Sequence, residues 1–401
     1  MAAGATFTAC IVGTGQLYTW GRLGSPADGK EFVAPRLCAS IQDKSVSRLA
    51  VGAHHVVLLM ETGEVYAFGS NAEGQLGLGA GAKMFEPEPR VIPALLGKGV
   101  RLVACGDEFS MVVTDTMDVY TWGHGDLGQL GHGDYRRRTE PTVLRALAGK
   151  EIRAVAAGSN HAVALTMSGE VYSWGNGEHG RLGHGDATTY RVPGVVRCLM
   201  GERVSQVACG GAHTAALTEA GEVFTWGSNH FGQLGLGHTR DVLVAARVDT
   251  GLMGKKIHQI ACGLFHTAVI TEREVFTWGC GNHGVLGHGD WARLLEPTEV
   301  VALRGKGVER LTAGHRHVAA ITRHVWIPDD EVENCLQCKR PFGWLRRRHH
   351  CRHCGRIFCY YCSNNVVPIP RFGFHSPVRV CDGCDNMLRG RGGSGAAQQT
   401  Q

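Results

Sequence analysis

An aromatic–glycine pair recurs along this chain at Trp20-Gly21, Phe68-Gly69, Trp122-Gly123, Trp174-Gly175, Trp226-Gly227 and Trp278-Gly279. The spacings are 48, 54, 52, 52 and 52 residues. A period near 50 means that one supersecondary unit is repeated, and that each copy buries its apolar face against its neighbours. Before each pair comes a run such as His213-Thr214-Ala215-Ala216-Leu217-Thr218, then a short turn, then Glu222-Val223-Phe224-Thr225-Trp226. Alternating apolar residues around a turn containing Gly221 predict a β-hairpin. A glycine-rich loop such as Gly175–Asp186 follows, and segments such as Arg203–Gly210 supply a further apolar strand.

About four strands per unit at this period predict an all-β chain folded as a β-propeller. The units resemble regulator of chromosome condensation repeats, over residues 1–323. Apolar runs begin near Thr8, His55, Phe109, His161, His213, His266 and His317, which predicts seven blades, with six as the alternative. The first blade is expected to be incomplete, because Ala3-Gly4 already matches Cys209-Gly210. That leaves open an N-terminus shorter than the natural one.

Several motifs in this region invite functional readings that the repeats explain better. Gly123–Gly128, Gly175–Gly180 and Gly279–Gly284 all fit G-x-G-x-x-G. A dinucleotide-binding loop follows a strand, opens a helix and occurs once; these recur and run into more glycine, so they are inter-strand loops. The His-Gly-Asp triplets at His132, His184 and His288 are expected to hydrogen-bond loop backbone. His55, His161, His213, His266 and His317 share one repeat position with Phe7 and Phe109. A position that accepts phenylalanine reads as packing rather than metal ligation. Arg136-Arg137-Arg138 reads as a solvated loop. No constellation for covalent or acid–base catalysis is present, which argues against an enzyme.

Charge and cysteine both change character at the C-terminal end. From His324 onward there are 11 Lys+Arg against 6 Asp+Glu, and the preceding 323 residues hold 30 of each sign. The net charge of +5 therefore sits in the last fifth, which points to an anionic partner there. Seven of the 15 cysteines are scattered singly, whereas eight form four C-x-x-C pairs between Cys335 and Cys384. Met1–Val12 lacks a charged segment typical of a secretory signal, and no apolar run approaches 18 residues. The expectation is a cytoplasmic chain whose paired cysteines bind zinc rather than form disulfides.

Cys335, Cys338, Cys351, Cys354, Cys359, Cys362, Cys381 and Cys384 suffice for two closed four-thiolate sites holding two zinc ions. A module of this size with few apolar side chains needs metal, worth on the order of 10–16 kcal/mol per site, to fold. Between the pairs lies Arg346-Arg347-Arg348-His349-His350-Cys351-Arg352, whose guanidinium forks suit phosphate oxygens. Phe342-Gly343-Trp344-Leu345 precedes it, and Trp344 with Leu345 suits insertion at a membrane boundary, with Phe342 in the core.

Three elements here carry a second resemblance: Trp326-Ile327-Pro328-Asp329 as WxxD, the Arg347–Arg352 run, and Arg379-Val380-Cys381 as RVC. Residues 324–388 resemble a FYVE zinc finger, with 389–401 a flexible tail. The resemblance implies a cross-brace, one zinc on Cys335, Cys338, Cys359 and Cys362, the other on Cys351, Cys354, Cys381 and Cys384. It implies binding of phosphatidylinositol 3-phosphate on endosomal membranes. Arg347, Arg348, Arg352 and Arg379 would grip the phosphates, and Trp326, Asp329, His349 and His350 would complete the headgroup site. A RING-type module would normally place histidine where Cys354 stands, and WxxD, RVC and the Trp-Leu tip argue against nucleic acid. The chain is thus expected to be a non-enzymatic adaptor, peripheral on endosomes, with a protein bound to the propeller. The alternative is a guanine nucleotide exchange factor for a small GTPase. A single finger binds modestly, so a homodimer or avidity through the partner is expected.

Overall fold

The computed structural model describes residues 1–13, 15–23, 31–322, 327, 329–369 and 374–389. It divides into two units, Met1–Ile321 and Thr322–Gln401. In the first, six four-stranded antiparallel sheets follow one another in chain order as blades. Blade 1 consists of Ala2–Ala3, Phe7–Ile11, Leu17–Arg22 and Glu31–Leu37; blade 5 of Val204–Cys209, His213–Thr218, Val223–Gly227 and Val242–Arg247. The hairpin predicted at Gly221 forms, pairing His213 with Gly227 and Leu217 with Val223. Gly227 sits at φ +107, and a Cβ there would lie 2.6 Å from Ala212 O, so only glycine fits.

Seven blades are not what the chain builds. The first blade has all four strands, beginning with the two-residue strand before Gly4. The short unit is the last: Val308–Ala313 and Val318–Thr322 form a two-stranded sheet. The reason is in the sequence, since after Thr322 no aromatic–glycine arm follows and the cysteine-rich module begins. This hairpin still closes the ring. Leu311 covers the apolar face of blade 6, and Thr8 Oγ1 of blade 1 meets His317 Nε2 at 3.0 Å.

The core lies between blades rather than within them. Val57, Leu59, Ile92 and Leu95 of blade 2 pack against Val112 and Trp122 of blade 3. Trp174, Trp226 and Trp278 sit in the equivalent seams, and all four tryptophans are fully buried. Trp122 Nε1 donates to Gln75 O of the preceding blade at 2.9 Å, Trp174 to Gln129 O and Trp278 to Gln233 O at the same distance. The repeated aromatic is therefore a fastener, whose indole N–H is satisfied across the seam at Trp122, Trp174 and Trp278, while Trp226 Nε1 has no hydrogen-bond partner.

The repeated histidine is a second fastener, which corrects its reading as packing alone. His55 Nε2 meets Ser110 Oγ of the next blade at 2.9 Å, His161 meets Thr214 Oγ1 at 3.0 Å, and His213 meets Thr267 Oγ1 at 2.9 Å. Ser110, Thr214 and Thr267 donate their own protons to Gln75, Arg181 and Gln233 carbonyls. Each hydroxyl can therefore only accept from histidine, which assigns a neutral ring protonated at Nε2. Packing remains part of the role: a Cβ on Gly210 would lie 2.2 Å from His213 Cε1.

The glycine-rich segments are turns, and no α-helix follows one among the described residues. In the His-Gly-Asp triplets, Asp134, Asp186 and Asp290 accept backbone N–H groups two residues on. Their histidines instead reach strand hydroxyls, His132 to Thr121 Oγ1 and His288 to Thr277 Oγ1 at 2.9 Å, and His184 to Ser173 Oγ at 3.0 Å.

The second unit has little regular structure. His349–His350 pairs with Ile357–Phe358, Asn365–Ile369 pairs with Phe374–Val380, and an α-helix spans Asp382–Leu388. Its core is Phe358, Val367, Ile369 and Val380 packed with the cysteines. Among the described residues no helix is long and apolar enough to cross a membrane.

Candidate metal centre and phosphate cleft

Two groups of four thiols form in the second unit: Cys335, Cys338, Cys359 and Cys362, and Cys351, Cys354, Cys381 and Cys384. Within each, all sulfurs lie within 4.8 Å of one another. A tetrahedral zinc site with Zn–S bonds of about 2.3 Å spaces its sulfurs about 3.8 Å apart. Cys338 Sγ and Cys359 Sγ stand 3.8 Å apart, so the donors fit the ion. The local backbone supports thiolates too, since Cys359 N donates to Cys335 Sγ at 3.3 Å.

Ionisation within each group is uneven. Burial opposes the Cys335 thiolate, but N–H groups of Cys338, Cys359 and Gln337 outweigh it and hold its pKa near 6. Cys362 is pushed up by burial and by its neighbours Cys359 and Cys335. In the second group Cys384 is pushed up by Cys351, Cys354 and Cys381. Four clustered sulfurs cannot all carry charge alone; a dication removes that conflict and is linked to release of the remaining protons.

The basic run is held against this frame, and the contacts of its side chains split it in two. His349, paired with Phe358, is shifted below its ordinary pKa by burial, then by Arg379 and Arg347. Arg352 N donates to Arg379 O at 2.8 Å, so the RVC element lies beside the run. Arg379 is itself fixed by a bond from Nη1 to Ser363 O at 2.8 Å, with its guanidinium over the Tyr360 ring. His350 faces elsewhere: its Nε2 bonds Ile327 O at 2.7 Å and lies 3.8 Å from Asp329 Oδ1. Arg348 donates from Nε to Val332 O at 3.1 Å and rests on the Phe342 ring. Arg347, His349 and Arg379 thus form one group, and Asp329 with His350 another. Arg348 is turned towards the Val332 segment, and Trp326 falls outside the described residues.

Trp344 and Leu345 occupy the tip of a two-residue turn, closed by reciprocal backbone bonds of 3.1 Å between Gly343 and Arg346. They are 87% and 91% exposed, whereas Phe342 packs on the core. An apolar pair held out on a braced turn has no packing role within the finger.

Sequence reasoning missed two side chains here. Tyr360 lies under Arg379 and 6.1 Å from the His349 ring. His353 Nδ1 contacts Cys384 Sγ at 3.2 Å, an outer-sphere bond that orients a ligand sulfur. Their positions between metal-spaced cysteines were the available signal.

Comparison with known proteins places both units. A family model for the RCC1-like domain matches residues 21–327, and one for the FYVE zinc finger matches residues 325–390. The chain is 38% identical over 317 residues to the human E3 ubiquitin-protein ligase HERC2, covering 77% of this chain and 6% of the ligase. It is 38% identical over 281 residues to the ultraviolet-B receptor UVR8 of Arabidopsis thaliana, covering 70% of this chain and 63% of the receptor. The chain therefore spans less than two thirds of either relative. The structure of human WBSCR16 superposes with a TM-score of 0.72 at 28% identity, covering 80% of this chain and 86% of that one. Yeast RCC1 (Prp20) gives 0.70 at 20% identity, over 82% and 80%, a likeness of fold. A FYVE finger carries two zinc ions, and the two four-cysteine groups provide for them. The chain belongs to the RCC1-like domain family, with a FYVE zinc finger following its propeller.

Proposed function

We propose that the finger docks this chain onto endosomal membranes bearing phosphatidylinositol 3-phosphate, and that the propeller presents a bound protein there. The observation that carries the reading is the combination of a basic cleft with an unpacked apolar tip in one braced module. Arg347 and Arg379 supply fixed charge beside His349, where a phosphomonoester would accept charge-assisted bonds. Arg352 adjoins them, and Arg348 would reach the phosphate by leaving Val332 O. Asp329, beside His350, would accept ring hydroxyls and repel a second phosphate on that side. Trp344 and Leu345 would enter the headgroup boundary as the cleft engages.

The test is flotation of the zinc-loaded chain with vesicles carrying one inositide at a time. Binding to the 3-phosphate in preference to the 4-phosphate, 5-phosphate and bisphosphates is expected. Equal binding to every anionic vesicle would reduce the cleft to a general basic patch and end the proposal.

A second reading rests on fold. Prp20p from Saccharomyces cerevisiae, with a TM-score of 0.59 at 24% identity, has been studied for its binding to Gsp1p and histones. Guanine nucleotide exchange by this propeller would show as accelerated nucleotide release from a small GTPase; the adaptor reading expects none.

A further inference from the structure

Within the first unit, His179, His230 and Asp241 converge where the loop of blade 4 meets blade 5. His179 lies in the turn after the strand Val171–Gly175, and His230 in the turn after Val223–Gly227. Asp241 immediately precedes the outer strand Val242–Arg247. His179 Nδ1 is 2.7 Å from Asp241 Oδ2, and His230 Nε2 is 3.7 Å from the same oxygen. The second distance is too long for a hydrogen bond. Two imidazoles meet edge to face at 5.2 Å around one carboxylate, and the three ligand atoms lie within 4.8 Å of one another. All three side chains remain open to solvent.

We propose that His179, His230 and Asp241 form a third metal site, for a single divalent ion of the zinc class, fastening blade 4 to blade 5. Two imidazole nitrogens and one carboxylate oxygen are the donor set of a three-ligand zinc site, with the fourth position open to water. Ligands on such an ion stand about 3.3 Å apart, between the two separations seen here. Closing the His230 gap and replacing the His179 Nδ1 proton by the ion completes the set.

The surroundings hold the ligands ready. Asp241 Oδ1 accepts Asn229 N at 2.8 Å, which orients the carboxylate. Arg293 Nη1 donates to His230 O at 3.2 Å and fixes that turn. The cation nearby, Arg181, is engaged with Glu178 O at 2.9 Å and its carboxylate at 3.7 Å. His179 is held at φ +62, in the left-handed region.

The repeats show that this set is particular to one seam. The positions equivalent to Asp241 carry Arg137, Thr189 and Arg293, and those equivalent to His230 carry Asp126, Glu178 and Asn282. The next seam sets Phe231 of blade 5 against Asn282 and Arg293 of blade 6. His283, also at φ +62, belongs to the last full blade, after which the two-stranded hairpin supplies no counterpart of Asp241 among the described residues. Among the described residues no other such group lies outside the cysteine clusters.

These equivalents supply substitutions that the fold already accommodates. Asp241→Thr copies Thr189, whose hydroxyl takes the Gly177 N–H as Asp241 takes that of Asn229. His230→Asn copies Asn282. The full chain, with its finger zinc-loaded, would be dialysed against about 10 µM free zinc at about pH 7.5, where imidazoles are mostly neutral. Metal per chain would be counted by inductively coupled plasma mass spectrometry. A third ion beyond the finger's two is expected. Losing an outer-sphere partner costs about 10–100-fold in affinity, so each variant, lacking a ligand itself, should bind the third ion at least about 10-fold more weakly. Two ions in the unaltered chain, or a third that either variant retains at equal affinity, would overturn the assignment and leave a surface ion pair.

Discussion

Replacing His213 by phenylalanine should destabilise the propeller near neutral pH and stabilise it in acid. Burial depresses His213 to about 3 and His55 and His266 to about 4, and holds His161 well below its ordinary value. An unfolded chain binds those protons near pH 6.5. The sign follows: above that value both states are neutral and nothing is at stake, and below it the unfolded state alone takes up protons. Stability therefore falls as pH drops from about 6.5 towards 4, by about 1.4 kcal/mol per pH unit for each histidine. Between pH 7 and 5 that is about 2 kcal/mol each, and on the order of 7 kcal/mol for four acting independently. Such a loss is comparable with the whole stability of an ordinary domain. The variant removes one share. Its cost at pH 7.5 is the bond to Thr267, about 1 kcal/mol, because Thr267 keeps its bond to Gln233 O. Phenylalanine fits, since Phe109 occupies the same position against Gly106 that His213 occupies against Gly210. Urea unfolding of the full chain by tryptophan fluorescence, at pH 7.5, 6 and 5, reads both effects. The difference from the unaltered chain cancels what the finger contributes. The two stability curves should cross between pH 6.5 and 5; parallel curves would mean that His213 is protonated in the fold and that its assigned tautomer is wrong.

Trp344→Ala with Leu345→Ala should weaken vesicle binding by at least about 10-fold, since burying one large apolar side chain is worth about 1.5–3 kcal/mol. Zinc content should not change; unchanged partition in sedimentation would remove the tip from the membrane. Chelation of zinc should unfold the finger and abolish vesicle binding while the propeller's tryptophan emission persists, because its core holds no metal-spaced cysteines; vesicle binding that survives chelation would refute the finger as the anchor. Arg379→Ala should lower affinity for the 3-phosphate by about 10-fold or more, as loss of a charge-assisted bond worth about 1.5–3 kcal/mol requires. Isothermal titration with a soluble headgroup would measure it, and equal affinity would exclude Arg379 from the cleft.

The limits of sequence reading are clearest at the repeated histidine. Phe7 and Phe109 in the same register point to packing, and packing is there. The inter-blade bond also left a trace, about 50 residues downstream. His55, His161 and His213 are followed one blade later by Ser110, Thr214 and Thr267, and His317 by Thr8 around the ring. After Phe7 and Phe109 the corresponding residues are Val56 and Ala162. Reading each position against its own column hides this pairing; reading it against the next column of the next blade reveals it. His266 is the exception, with Val318 in the hydroxyl's place and its Nε2 unpartnered in the structure. That exception falls at the one seam where a full blade gives way to the two-stranded hairpin. The error in blade number has the same origin, because each apolar run marks the second strand of a unit, and a unit can reach its second strand without being finished. In the finger, cysteine spacing sufficed to predict metal binding, since ligand type and number constrain the site. The cleft was less legible, because only His349 and His350 of the run lie in a strand, and the arginines before them follow irregular backbone whose side-chain directions no period predicts. Arg347 and Arg348 are adjacent in sequence, yet one joins Arg379 at His349 and the other turns to Val332. A run of like charges thus predicts the class of ligand, and the local partners of each side chain, such as Val332 O and the Phe342 ring at Arg348, decide which charges are free to reach it.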